Sequence, residues 1–139
     1  MILIDTSIWI FALRKKFIPE VKEKVSNLLA QDLVAINGII KLELLIGARG
    51  PQEFIRLKKY LDSLYEIKIE SSVLEKSYEI AYHLCNQRVI VPSTDIIIAA
   101  SAICTNFVLL HADKHFDIIA KYTDLKAESF LPLISKTNK

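Results

Sequence analysis

Apolar residues fall along this chain in two alternating rhythms, short unbroken runs and helical stripes. Ile2, Leu3 and Ile4 form a run apolar on both faces, as expected of a strand inside a parallel sheet. Residues 33–36 and 107–110 read the same way. Residues 65–69 alternate instead, Tyr65, Ile67 and Ile69 against Glu66 and Lys68, which suits a strand nearer the sheet edge. A last strand is predicted near 126–130.

Between these runs the spacing is helical. After a short apolar segment over 8–13, Pro19 opens a helix with Val21, Val25, Leu28 and Leu29 on one face. Asn37 suits the cap of a helix over 39–48 that ends near Gly50-Pro51. Phe54, Leu57, Leu61 and Leu64 mark the next helix. Ser72 and Glu75 have capping-box spacing and open a helix with Leu74, Tyr78, Ala81 and Cys85 on its stripe. Residues 89–92 read as extended, and Ser93 or Thr94 caps a nearly all-apolar helix that contains Asp95. A short helix over 113–121 follows the fourth strand. The alternation predicts an α/β fold, a central, mostly parallel sheet with helices on both faces.

Composition narrows the class. A length of 139 residues, 52% apolar and 24% charged, fits one folded domain, not a disordered chain. No apolar run approaches the ~20 residues that span a bilayer, and no signal-peptide pattern opens the chain. The two cysteines make no metal spacing and fall in helical patterns, where core positions are expected for both. A cytoplasmic protein without membrane association is the simplest expectation. A net charge of +2 does not by itself announce a nucleic-acid partner.

Four acids stand where the core pattern does not call for them. Asp5 ends the first strand, where open α/β sheets place their ligands, although a helix cap explains an Asp there equally well. Glu43 shares a stripe with Ile39, Leu42 and Ile46, and an acid on a buried stripe needs compensation that Lys41, two residues away, does not face. Asp95 opens the stripe Ile98, Ala99, Ala102 and Ile103, where the helix dipole is the plainer explanation. Asp113 follows the fourth strand as Asp5 follows the first, and Asp117 lies one turn further on. Brought together, four carboxylates call for hard divalent cations, Mg²⁺ or Mn²⁺, one or two ions. Setting the four aside leaves 12 acids against 18 bases, a net +6, and a basic body around an acidic pit suits a polyanion. Arg14, Lys15, Lys16, Lys41, Arg49 and Lys114 are candidate backbone contacts.

The chain resembles the PIN-domain ribonucleases, and among them the VapC-type toxins of type II toxin–antitoxin pairs. The resemblance rests on Ile4-Asp5-Thr6-Ser7, on Glu43 within residues 41–48, on Asp95 within 95–100, and on Leu110-His111-Ala112-Asp113-Lys114-His115-Phe116. It implies a three-layer α/β/α PIN-like nuclease domain over residues 1–134, followed by a polar tail over 135–139. It implies that Asp5, Glu43, Asp95 and Asp113 bind Mg²⁺ or Mn²⁺ and that a metal-activated water cleaves RNA endonucleolytically. A homodimer and a small antitoxin partner are implied as well. Thr6 and Ser7 would orient Asp5 or a bound water. His111 stands where the family commonly has Thr or Ser, with a substrate or supporting role open to it, and Asp117 ranks below the four acids. The alternatives are an RNA-processing nuclease outside a toxin system and a module that binds without cleaving. Ser7 stands where a haloacid-dehalogenase-type phosphatase needs its second Asp, and three glycines supply no phosphate-binding loop.

Overall fold

A computed structural model describes residues 1–13 and 18–137, with the side chains of 135–137 left out. Arg14, Lys15 and Lys16, candidate backbone contacts by sequence, lie outside the described residues. The order of elements is β1 (Ile2–Ile4), α1 (Thr6–Leu13), α2 (Pro19–Ala30), β2 (Val34–Asn37), α3 (Gly38–Ile46), α4 (Gly50–Asp62), β3 (Tyr65–Ile67), α5 (Ser71–Asn86), α6 (Ser93–Thr105), β4 (Val108–His111), α7 (Lys114–Tyr122), β5 (Ala127–Ser129) and α8 (Leu131–Thr137). No helix among the described residues is long and apolar enough to cross a membrane.

The five strands form one sheet in the order β3-β2-β1-β4-β5, and every pairing is parallel. The doubly apolar run of β1 thus takes the centre, and the alternating β3 takes an edge. From β1 the chain steps outward through β2 to β3, then returns across the sheet to β4 and β5. Right-handed crossovers place the helices of the outward and returning paths on opposite faces. The contacts agree, since α1 packs on α2 and α3, α3 packs on α4, and α5, α6 and α7 pack on one another. The reversal falls between β1 and β4, where Ile4 pairs with Leu110. At such a switch point the neighbouring loops part and leave a crevice at the strands' C-terminal ends.

Fully buried Leu3, Ile4, Ile36, Leu109 and Leu110 carry the sheet's part of the core, closed by Trp9, Ile40, Leu61, Ile98 and Phe116 from the helices. Ala99, Ala100 and Ala102 are fully buried, small enough to let α6 approach the sheet closely. Asn106, in the left-handed region at φ 58°, ends α6 and turns the chain toward β4.

Several boundaries depart from the sequence pattern. Gly50 and Pro51 open α4 instead of closing the helix before it, with Gly50 at φ 84° making the turn. Ser72 and Glu75 form no capping box, because α5 begins at Ser71 with Glu70 as an N-cap that makes no side-chain bond. Neither Ser93 nor Thr94 caps α6; both lie inside it, and Pro92 takes the cap position. The buried face of α5 is Val73, Ser77, Ile80 and Leu84, one position away from the expected stripe, so Tyr78 and Cys85 are exposed. Cys104 is exposed as well. The helical backbone of α8 continues to Thr137, through residues expected to form a polar tail.

Asn37 joins two of the elements that carry acids. Its Oδ1 accepts the Ile40 N–H at 3.0 Å and caps α3, while its Nδ2 donates to Ser101 Oγ on α6 at 3.1 Å. The side chain is fully buried, and losing it leaves the Ile40 N–H uncapped, while the Ser101 hydroxyl keeps its bond to Ile97 O at 2.9 Å. Asn37→Ala is therefore expected to destabilise the protein by about 1–2 kcal/mol, chiefly the loss of a helix cap. Urea unfolding checks this, and a change below about 0.5 kcal/mol would show that the cap and the α3–α6 tie carry little.

Candidate active site

The sheet sends its first acid to the switch point directly. The Asp5 N–H donates to Leu110 O at 2.9 Å, holding the end of β1 against β4, and the Asp5 side chain is buried. Ser7 fixes that carboxylate. Its N–H and its hydroxyl both donate to Asp5 Oδ2, at 3.0 and 2.6 Å, and the same hydroxyl accepts the Ala112 N–H at 3.0 Å. One serine therefore ties the end of β1 to the end of β4. Burial raises the Asp5 pKa and the Asp113 charge adds to that, while the hydrogen bonds from Ser7 and Thr6 pull it back.

Glu43 arrives from α3, and its partner is a hydroxyl, not a cation: Thr6 Oγ1 donates to Glu43 Oε1 at 3.1 Å. The expectation of a buried stripe around it does not hold. Leu42 is 57% and Ile46 76% exposed, and the helix buries Ile40 and Leu44 instead. Glu43 stands on an open apolar face at the rim of the site. Partial burial raises its pKa, with the Asp5 and Asp113 charges adding to the shift and Thr6 opposing it.

Asp95, in the first turn of α6, is buried and its pKa is pushed up to about 6. Desolvation is the main cause; Asp113, Asp5 and Glu43 all raise it further, and His115 opposes them. All four predicted acids therefore share one field at the C-terminal edge of the sheet. Asp113 caps α7, its Oδ1 accepting the His115 N–H at 2.9 Å, so the plain capping role and the place in the cluster coexist in one carboxylate.

His111 is fully buried, beneath the surface of the site. Its ring packs on Phe116 with centroids 5.3 Å apart, and its Nδ1 accepts the Asp113 N–H at 3.2 Å. The neutral ring, which burial favours, then carries its proton on Nε2, 3.4 Å from Asp117 Oδ1. Asp117 thus faces His111. Lys41 bridges Asp62 at 2.9 Å and Glu66 at 2.7 Å. Lys114 and Arg49 remain exposed.

One residue of the site was not singled out by its sequence position. His115 Nδ1 lies 3.1 Å from Asp95 Oδ2 and 3.2 Å from Asp113 Oδ1. The available signal was Asp113-Lys114-His115 itself, which puts an imidazole in the first turn of the helix that Asp113 caps. Asp95, Asp113 and His115 form a group whose ligand atoms all lie within 4.8 Å of one another. Alongside, an apolar groove of about 560 Å³ runs from Thr6 and Glu43 between Ile10, Leu44, Leu57 and Tyr60.

Comparison with known proteins gives the same picture. The family model described as PIN domain matches residues 2–122. Ribonuclease VapC18 of Mycobacterium tuberculosis is 26% identical over 133 residues, covering 93% of this chain and 94% of the relative. Ribonuclease VapC11 of the same organism is 29% identical over 134 residues, 94% of this chain and 99% of its own length. Among solved structures, VapBC2 from Rickettsia felis, bound to a DNA fragment from its promoter, superposes with a TM-score of 0.77 at 24% identity, covering 94% of this chain and 99% of the other. With the family model matching residues 2–122 of the 139, the chain belongs to the PIN domain family.

Proposed function

We propose that this protein is a divalent-metal-dependent endoribonuclease that acts as the toxin of a toxin–antitoxin pair. The observation that carries this reading is the convergence of Asp5, Glu43, Asp95 and Asp113 in one electrostatic field at the sheet's switch point. Four carboxylates with three raised pKa values are a poor arrangement for the protein alone and a good one around a cation. The oxygen-rich donor set fits Mg²⁺ or Mn²⁺, and the buried His115 Nδ1, without a hydrogen-bond partner, points into it. When bound, the cation supplies Lewis acidity toward a phosphodiester and lowers the pKa of an attacking water.

The protein's own residues prepare that centre. Asp95 and Asp113 present ligand oxygens within 4.8 Å of each other, and Asp5 adds charge, its orientation locked by Ser7. Glu43, held by Thr6 at the exposed rim, is placed to take up the proton of an incoming water. His111 holds the Asp113 backbone N–H, so that carboxylate stays fixed at its root. Exposed Lys114 beside the cluster and Arg49 at the start of α4 supply positive charge for an RNA backbone.

The relatives and the surface support a protein partner. The R. felis VapBC2 structure is a complex bound to promoter DNA, and the present chain exposes Leu42 and Ile46 on α3 and Phe54 and Ile55 on α4 beside the groove. An apolar surface of that kind suits a small antitoxin, with a second copy of the chain completing a homodimer.

Incubation of the full-length protein with structured RNAs under Mg²⁺, Mn²⁺ or EDTA tests the activity. Cleavage is expected with either metal and not with EDTA, and Asp95→Asn should lower it by more than about 100-fold, beyond what loss of an outer partner usually costs. Ser7→Ala, which frees Asp5 to turn, should lower it by about 10–100-fold with the fold retained. Cleavage that persists in EDTA, or equally in the Asp95→Asn protein, would defeat the reading.

Stability should carry the same signature. Asp95 holds its proton to about pH 6 when folded, against an ordinary value of 3.8, so the native state binds more protons than the unfolded state between these values. The linkage therefore lowers stability as pH rises from about 4 through 6, and the loss persists above. In EDTA, Asp95→Asn is expected to raise stability at pH 7.5 by about 1–3 kcal/mol and to have no such benefit at pH 4. Thermal melts at the two pH values check the sign; a lower melting temperature for Asp95→Asn at pH 7.5 would contradict it.

A further inference from the structure

His115 gives this centre a donor that carboxylate chemistry alone does not supply. Its Nδ1 is buried and has no hydrogen-bond partner, although Asp95 Oδ2 and Asp113 Oδ1 stand 3.1 and 3.2 Å away. Three atoms able to serve as metal ligands converge there, all within 4.8 Å of one another. Neighbouring ligands around an octahedral ion with bonds of about 2.1 Å stand about 3 Å apart, so the two separations match one ion seated between the three atoms. The imidazole is not there by chance of rotamer alone: its backbone N–H donates to Asp113 Oδ1 at 2.9 Å, which fixes the root of His115 to the carboxylate beside it.

We propose that His115 Nδ1 is a metal ligand, and that it makes this site prefer Mn²⁺ over Mg²⁺. The inference rests on reading the acidic cluster as a metal centre and goes further by naming the residue that selects the ion. Mg²⁺ is hard, takes oxygen ligands and sheds water reluctantly. An imidazole nitrogen in place of a third oxygen beside Asp95 and Asp113 weakens the site for Mg²⁺ and favours first-row transition ions, of which Mn²⁺ best tolerates the carboxylates. Asp95 and Asp113 supply charge to either ion; His115 discriminates between them.

The test uses the full-length protein stripped of metal, with Mn²⁺ followed by electron paramagnetic resonance and Mg²⁺ by calorimetry. Wild type is expected to bind Mn²⁺ at least about tenfold more tightly than Mg²⁺, and its pulsed spectrum should show coupling to an imidazole nitrogen. His115→Ala should lose that coupling and about 10–100-fold of Mn²⁺ affinity, with a smaller loss for Mg²⁺. His115→Asp restores an all-oxygen set and should narrow or invert the preference. Circular dichroism of each variant confirms that the fold is kept. An Mn²⁺ spectrum without nitrogen coupling, or an Mn²⁺/Mg²⁺ ratio unchanged in His115→Ala, overturns the proposal while the acidic metal centre stands. Tighter binding of both ions by His115→Ala overturns it too, and would mean that a protonated ring occupies the cation's place. If wild type binds neither ion, the metal centre and the selectivity fail together.

Discussion

Like charges brought close together at the end of a sheet are the constraint on which this structure turns. Strands β1 and β4 run parallel at the point where the chain reverses its direction across the sheet, and each delivers an Asp to the same edge. Helices α3 and α6 add Glu43 and Asp95 from the side. Asp113 raises the pKa of Asp5, Glu43 and Asp95, Asp5 raises those of Glu43 and Asp95, and Glu43 that of Asp95, so the arrangement opposes folding at neutral pH. The opposing stabilisation comes from elsewhere, from a core that buries Trp9, Phe116 and the aliphatic strands completely. What the local polar groups add is direction: Ser7 on Asp5, Thr6 on Glu43, and the His115 N–H on Asp113. A site stabilised by a distant core and aimed by short hydrogen bonds is left with unspent negative charge, which a cation can meet.

Much of this was legible in the sequence because two simple patterns agreed. Strands buried on both faces leave no alternation, and β1, β2 and β4 were visible as such, with Asn37 as a true cap at the end of β2. Asp5, directly after such a run, and Asp113, three residues after Leu110, were visible because an acid at the end of a buried strand has few places to go. The faces of helices were harder. Helix α5 carries apolar residues on two adjacent stripes, Val73-Ser77-Ile80-Leu84 and Leu74-Tyr78-Ala81-Cys85, and periodicity does not choose between them. Packing chose the first, which leaves Cys85 and Tyr78 in solvent.

Glu43 teaches a sharper lesson. It was singled out because an acid on a buried apolar stripe would be costly, yet the stripe is exposed. The residue meets the other acids for a different reason: α3 starts directly from the end of β2, one strand from the switch point, so its side reaches the crevice. His115 was hidden for the opposite reason. A histidine within an amphipathic helical turn carries no periodic signal, and only the fold brings its ring between Asp95 and Asp113.

The exposed stripe then has a consequence of its own. Thr6 and Glu43 belong both to the acidic cluster and to the apolar groove that Ile10, Leu57 and Tyr60 line. Exposed Leu42, Ile46, Phe54 and Ile55 extend that apolar surface over α3 and α4, where water gains nothing by staying. A protein segment laid over this surface would run beside Glu43, close to the carboxylate cluster. Burial of the apolar groove supplies affinity without regard to catalysis, and a basic group at the end of such a segment would answer the cluster's charge. The repulsion that would favour a cation among these carboxylates would equally favour a basic group on a covering segment, so both would draw on one electrostatic source.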